Sequence, residues 1–248
     1  MIRTPVKMVL FDLDGTLLPM DMDEFIGGYF KLLAKKAMPY GYEPQLLVKA
    51  IWRGIAAMVQ NDGRCNNEDV FWKDFAAAYG PQALKDKPMF EEFYANEFRA
   101  AKQFCGYNPE ALKTVRWICD RGLRIALATN PLFPRIATET RIGWAGLKPE
   151  DFEFFTTYDN IGWCKPNLDY YREVLRWAGL KGEDCLMVGN DVGEDMVASA
   201  LGMNVFLLTD CLVNKAGEDI NRYPHGGFDE LKGYIETLIS PAAAEESI

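Results

Sequence analysis

An apolar run, Val6 to Phe11, leads straight into Asp12-Leu13-Asp14-Gly15-Thr16. Alternation along a strand puts Asp12 and Asp14 on one side if the extended geometry persists to the strand end. Two carboxylates so placed repel each other unless a cation, a proton or hydrogen bonds intervene. Further along, three more polar groups stand near the ends of apolar segments: Thr129-Asn130, Lys165-Pro166, and Asn190-Asp191 followed by Asp195. Oxygen ligands from Asp12, the neighbourhood of Asp14 and Asp191 suit Mg²⁺, which prefers carboxylates and retains waters. Lys165 adds a positive charge opposite the carboxylates, and Thr129 offers a hydroxyl to a phosphoryl oxygen. A carboxylate is a poor nucleophile toward a dianionic phosphate because the charges repel. A metal ion and Lys165 offset that repulsion, so these residue types support covalent catalysis through an aspartyl-phosphate.

The elements that must bring these groups together read as α/β. After the first strand, residues 21 to about 105 show helical spacing rich in aromatics: Phe25, Tyr29, Leu32 and Leu33; Leu46, Leu47, Ala50 and Ile51; Phe71, Trp72, Phe75 and Tyr79; Phe90, Phe93, Tyr94 and Phe98. Pro39, Pro44, Asn61-Asp62-Gly63 and Gly80-Pro81 punctuate this segment, which reads as a bundle of about four helices. From Pro109 the rhythm alternates. A helix from Pro109 to Arg121, with Asn108 as its N-cap and Gly122 as its stop, precedes a buried strand from Leu123 to Ala128. A helix around Phe133 to Ile142, a short strand from Phe152 to Phe155 and a helix from Leu168 to Ala178 come next. Then come a strand from Cys185 to Gly189, a short helix from Glu194 to Leu201 and a strand from Val205 to Leu208. Strands alternating with helices imply right-handed crossovers and a mainly parallel sheet. In such sheets ligands bind beyond the carboxyl ends of the strands, where Asp12, Asp14, Thr129, Asn130, Asn190 and Asp191 fall.

Composition narrows the chemistry. The net charge of −9 argues against a broad basic surface for nucleic acid, so an anionic ligand would need a local device such as a metal or a lysine. The only histidine, His225, reads as a loop residue, which argues against a Ser-His-Asp centre, and a single histidine excludes a multi-histidine metal site. None of the six cysteines forms a Cys-x-x-Cys pair, which favours buried free thiols over disulfides or zinc. No run is long enough to span a bilayer and no cleavable leader is evident, so a cytoplasmic location is expected. Oligomeric state is not readable from these patterns.

Asp12-x-Asp14-Gly-Thr16, Thr129-Asn130, Lys165-Pro166 and Gly-Asn190-Asp191-x-x-x-Asp195 resemble, in order and spacing, the four motifs of the haloacid dehalogenase superfamily. The resemblance implies a Rossmann-like core, residues 1–18 and 106–240, with an inserted all-helical cap, residues 19–105, and a C-terminal tail, residues 241–248. It implies Asp12 as nucleophile and Mg²⁺ ligand. Asp14 would be the acid toward the leaving group and then the base for water, its backbone carbonyl also reaching the metal. Thr129 and Lys165 would hold the phosphoryl group, Asn130 would contact substrate or shape the loop, Asp191 would complete the metal shell and Asp195 would orient Lys165 or metal-bound water. The motif usually places aspartate immediately after the glycine, where this chain has Asn190. Asp191 is favoured as the metal ligand because an anion binds Mg²⁺ better than an amide does. The implied activity is a Mg²⁺-dependent phosphatase acting on a small phosphorylated metabolite. The alternatives are a phosphomutase, a dehalogenase, disfavoured by Asp14, and a catalytically silent binding module. In the cap, Lys31, Lys35 and Lys36 read as a solvated face, and Trp52 and Arg53 as candidate pocket residues.

Overall fold

The computed structural model describes residues 5–239. A five-stranded, all-parallel sheet forms the centre: β1 (Met8–Phe11), β2 (Arg124–Leu127), β3 (Cys185–Gly189), β4 (Asn204–Leu208) and β5 (His225–Gly226), in the order β2-β1-β3-β4-β5. β1 and β3 are buried along their whole length, as parallel strands covered on both faces must be. Alternate side chains go to opposite layers. Val9, Phe11, Ile125, Leu127, Leu186 and Val188 join one core. Met8, Leu10, Ala126 and Met187 join a second, under Tyr170, Tyr171 and Val174 of the helix Leu168–Ala178.

Register decides what the sheet displays. Phe11 pairs with Leu127 on one side and Val188 on the other, and the ladder runs one step further through Asp12 N–H to Val188 O (2.9 Å) and Ala128 N–H to Phe11 O (2.7 Å). The strand ends carrying Asp12, Thr129 and Asn190 are therefore level. The chain moves from β1 to one neighbour, β2, and later to the other, β3, so this edge is a topological switch point.

Between β1 and the sheet's second strand lies an all-helical insertion: α1 (Met22–Ala37), α2 (Pro44–Val59), α3 (Asn67–Tyr79), α4 (Gln82–Lys85), α5 (Lys87–Ala95) and a 3₁₀ helix, Glu97–Phe104. The short α4 and the 3₁₀ helix are additional to the four helices the sequence spacing predicts. Asp21, Glu43 and Asn66 cap the first three, each accepting backbone N–H groups in the first turn. Entry and exit run side by side: Met20 bridges Cys105 antiparallel, and Gly106 N–H donates to Pro19 O at 2.7 Å. α6 (Pro109–Asp120) follows, capped by Asn108, whose Oδ1 accepts Glu110 N–H at 3.0 Å.

Several expectations need correction. The segment 152–155 is no regular strand, though its backbone hydrogen-bonds along β2 and Phe155 bridges Leu127. α7 spans Arg135–Trp144 rather than starting at Phe133; Phe133 precedes Pro134, which disfavours helical backbone there. α8 occupies Leu168–Ala178 as expected, and α9 is Phe228–Ile239. The predicted helix from Glu194 begins only at Met196, as a 3₁₀ turn, because the Asp191 side chain folds the preceding residues into a tight turn of its own. His225 is not in a loop but in the short edge strand β5. All six cysteines are free, yet only Cys164 and Cys185 are buried. The expected C-terminal tail lies outside the described residues. No helix among the described residues is long and apolar enough to cross a membrane.

Candidate active site

Extended geometry ends at Asp12, so strand alternation is not what gathers the first two carboxylates. A compact turn does so: Leu18 N–H and Thr16 N–H return to Leu13 O, and Gly15 N–H donates to Leu18 O at 2.8 Å. Gly15 has φ +81°, and a Cβ there would collide with the Asn190 amide, so only glycine fits. Asp12 and Asp14 then line one cavity of about 520 Å³, together with Thr129, Asn130, Asn190, Asp191 and Asp195. Lys165 stands behind this wall, 1 % exposed.

Asp12 is held from two sides. Its Oδ1 accepts Lys165 Nζ at 2.9 Å and its Oδ2 accepts Thr16 Oγ1 at 3.2 Å. Lys165 also donates to Asp195 Oδ1 at 2.6 Å, and Asp195 Oδ2 accepts Asp191 N–H at 3.0 Å. Burial disfavours the ammonium, but the Asp12 and Asp195 carboxylates outweigh it and hold Lys165 well above the usual lysine range. Asp195 reaches this position because Gly189 has no side chain; a Cβ at that strand end would overlap its carboxylate. Thr129 is fixed through its carbonyl, which accepts Thr156 Oγ1 (2.6 Å) and Tyr170 OH (2.9 Å). Asn130 donates to Glu194 Oε2 at 2.9 Å.

The two neighbouring residues of the last motif are used differently. Asn190 is buried; its Oδ1 meets Thr16 Oγ1 at 3.0 Å and its Nδ2 donates to Cys211 O at 2.6 Å. Asp191 Oδ1 accepts the N–H groups of Gly193 and Glu194.

Two residues of the site stand outside the motifs read from sequence. Arg141 of α7, 1 % exposed, forms an ion pair with Asp14 Oδ2 while its guanidinium lies 4.3 Å from the Phe133 ring centre. The signal for it was present: Arg141 falls four residues after Ala137 on the buried face of α7, where an arginine is out of place without a partner. Glu194 also lines the cavity, and burial pushes its carboxyl up to about 7; the motif pattern passes over it between Asp191 and Asp195. Asp14 is raised as well, because burial outweighs the opposing pull of Arg141, with Asp12 adding to the rise. A carboxyl so raised is suited to giving and taking a proton.

No group of three or more His, Cys, Asp or Glu side chains among the described residues forms a ready-made metal cage. The donors nevertheless fit a hard cation that uses few protein ligands. Asp12 Oδ2, Thr16 Oγ1 and Asn190 Oδ1 make contacts of 3.2 and 3.0 Å that share one hydroxyl proton, and Asp191 lines the same oxygen-rich edge. Mg²⁺ commonly takes one or two carboxylates and leaves its other positions to water and substrate phosphate.

The opposite wall is apolar and aromatic, supplied by α1, α2, α3 and α5 with Phe133 and Tyr158 from the core side. Of the sequence candidates there, Trp52 lines the cavity, whereas Arg53 turns to Asp74 at 2.9 Å. Lys36 pairs with Glu92 and Glu97, and Lys31 and Lys35 are exposed.

The family model for haloacid dehalogenase-like hydrolases matches residues 6–201. Phosphoglycolate phosphatase 1 of Pseudomonas aeruginosa is 24% identical over 216 residues, covering 82% of this chain and 69% of that protein. A 2-haloacid dehalogenase structure from Pseudomonas syringae superposes with a TM-score of 0.62 at 20% identity, over 94% of this chain and 99% of the other. A phosphatase structure from Thermococcus onnurineus superposes with a TM-score of 0.57 at 18% identity, over 95% of this chain and all of the other. At these identities the two structures speak for the fold alone.

Proposed function

The chain belongs to the haloacid dehalogenase-like hydrolases, and from that membership we propose a Mg²⁺-dependent phosphatase that hydrolyses a phosphate monoester through an aspartyl-phosphate on Asp12. The observation that carries the reading is the Asp12–Lys165–Asp195 chain beside a second, raised carboxyl at Asp14. In this reading Asp12, the backbone carbonyl of Asp14 and Asp191 hold Mg²⁺, with Asn190 bracing the edge. The ion supplies positive charge against the phosphoryl oxygens.

The rest falls to the chain's own residues. Lys165 fixes Asp12 and presents positive charge, Thr129 binds a phosphoryl oxygen, and Asn130 holds the loop against Glu194. An Asp12 carboxylate oxygen attacks phosphorus, the bond from phosphorus to the ester oxygen breaks, and the departing alcohol takes a proton from Asp14. Water then attacks the same phosphorus and gives a proton back to Asp14. The Asp12–phosphorus bond breaks, releasing inorganic phosphate and the free carboxylate. Asp14 is the feature that separates this reading from dehalogenation, which needs no acid for a leaving halide.

Residues 19–105 serve as a cap that closes over the site and excludes water. A cross-linked open form with undiminished kcat would refute closure. The assay for the chemistry is hydrolysis of 4-nitrophenyl phosphate with and without Mg²⁺. Asp12→Asn is expected to lose on the order of a thousandfold or more in kcat/KM. A rate indifferent to both the metal and the substitution would end the proposal.

A further inference from the structure

The cavity has two unlike walls, and the cap's wall bears on what the phosphate is attached to. Its volume, about 520 Å³, is more than three times the roughly 150 Å³ that accommodates a benzene molecule, far beyond the needs of a two-carbon phosphate. The cap's share of the lining includes Tyr29, Phe30, Trp52, Phe71, Trp72 and Tyr94. Its only charged lining residues are Asp21 and Asp23, both acidic. The cap cations nearest in sequence are engaged or exposed elsewhere: Arg53 on Asp74, Lys36 on Glu92 and Glu97.

The one lysine in the lining, Lys215, belongs to the core side. It follows Val213, whose backbone pairs with the Asn190–Val192 loop, so it enters the lining from the phosphate end of the core and not from the cap. The polar handles deep in the cap are neutral. Tyr29 and Tyr94 share a hydrogen bond of 2.7 Å, and burial holds both phenols above their ordinary range. The cations near this wall already have carboxylate partners, Arg141 on Asp14 and Lys87, over the Trp72 ring, on Glu68. A second anionic group carried into the cap would therefore meet carboxylates and aromatic rings without a free cation to offset its desolvation.

We infer that the physiological substrate is a phosphate monoester of a bulky, uncharged, largely apolar alcohol, with the aromatic cap wall as the leaving-group site. The inference rests on the phosphatase reading and sharpens it. It departs from the small carboxylated substrate in the name of the Pseudomonas aeruginosa relative. The bond broken is unchanged: phosphorus to ester oxygen, with the alcohol leaving protonated from Asp14.

Three substrates separate the two levels. Acetyl phosphate carries almost nothing into the cap and reports the core chemistry. 2-Phenylethyl phosphate and phosphoglycolate both release alkyl alcohols, so their ratio reports the cap rather than leaving-group strength. The expected kcat/KM for 2-phenylethyl phosphate exceeds that for phosphoglycolate by on the order of a hundredfold. Trp52 is half-exposed and so tolerates change; Trp52→Arg places a guanidinium on the apolar wall and is expected to move the ratio toward phosphoglycolate at least about tenfold. Brisk acetyl phosphate hydrolysis with phosphoglycolate preferred, or a ratio that Trp52→Arg leaves unmoved, overturns the substrate class while the phosphatase reading stands. Failure to hydrolyse acetyl phosphate overturns the phosphatase reading and takes this inference with it.

Discussion

At the floor of the cavity, three carboxylates from two strand ends are locked by one buried lysine, one buried arginine and the turn after β1. Across from it, helices present aromatic rings in edge-on and stacked pairs, among them Phe30 on Trp52 and Phe71 on Trp72. The floor is specified atom by atom, because each buried charge needs its own partner at hydrogen-bond distance. The roof is specified by shape and apolarity, which many combinations of side chains satisfy. Under the proposed function, loss of one group at the floor is therefore expected to remove the chemistry, and loss of one group at the roof to change what is accepted.

The sharpest break in this contrast is Lys165→Met. It leaves Asp12 and Asp195 buried without their shared cation, and a stability loss of about 3–5 kcal/mol is expected, read from urea unfolding at neutral pH, together with loss of turnover. A wild-type-like midpoint would mean that the floor tolerates an uncompensated pair. Arg141→Met comes next. Asp14 keeps some solvent contact, so about 2–3 kcal/mol is expected, with a fall in kcat that Lys165→Met would mask.

Asn66→Ala probes the roof's scaffold. Asn66 caps α3 and donates to Asp159 O at 3.1 Å, and about 1–2 kcal/mol is expected, with kcat/KM for acetyl phosphate nearly intact. A loss of chemistry as large as that of Arg141→Met would erase the distinction between the walls. The mildest test is covalent. Cys65 and Cys119 are exposed, whereas burial pushes the Cys164 and Cys185 thiols up to about 12. A thiol reagent at pH 8 is expected to modify the first pair in the native protein and the second only after unfolding. Early modification of Cys164, which packs with Met58 beneath the cap, would show the two layers opening apart.

The same contrast governs what could be read from sequence. The parallel strands announce themselves as short apolar runs, and the residues at their ends are single chemical types at fixed positions, so Asp12, Thr129 and Asn190 could be placed on one edge before any coordinates. The segment 152–155 and the stretch before Met196 depart from their sequence patterns because backbone pairing at a sheet edge and the Asp191 turn depend on partners that periodicity does not carry. Arg141 lies outside the strand-end motifs because it carries its charge on the inward face of a helix, where sequence order gives no link to Asp14. The cap helices were legible as helices. Which of their rings face the cavity was not, since aromatics at helical spacing serve packing and binding alike.

The antiparallel bridge between Met20 and Cys105 and the Pro19–Gly106 hydrogen bond bring the two ends of the insertion to neighbouring points on the core. A segment whose ends already touch can be exchanged for one of another length at little entropic cost, since doubling a loop adds only about 0.6 kcal/mol. The joint is thus where an insertion of another length could be spliced in while the strand order beneath stays the same, provided the new segment also covers the apolar surface that Phe98 now packs against at Trp144.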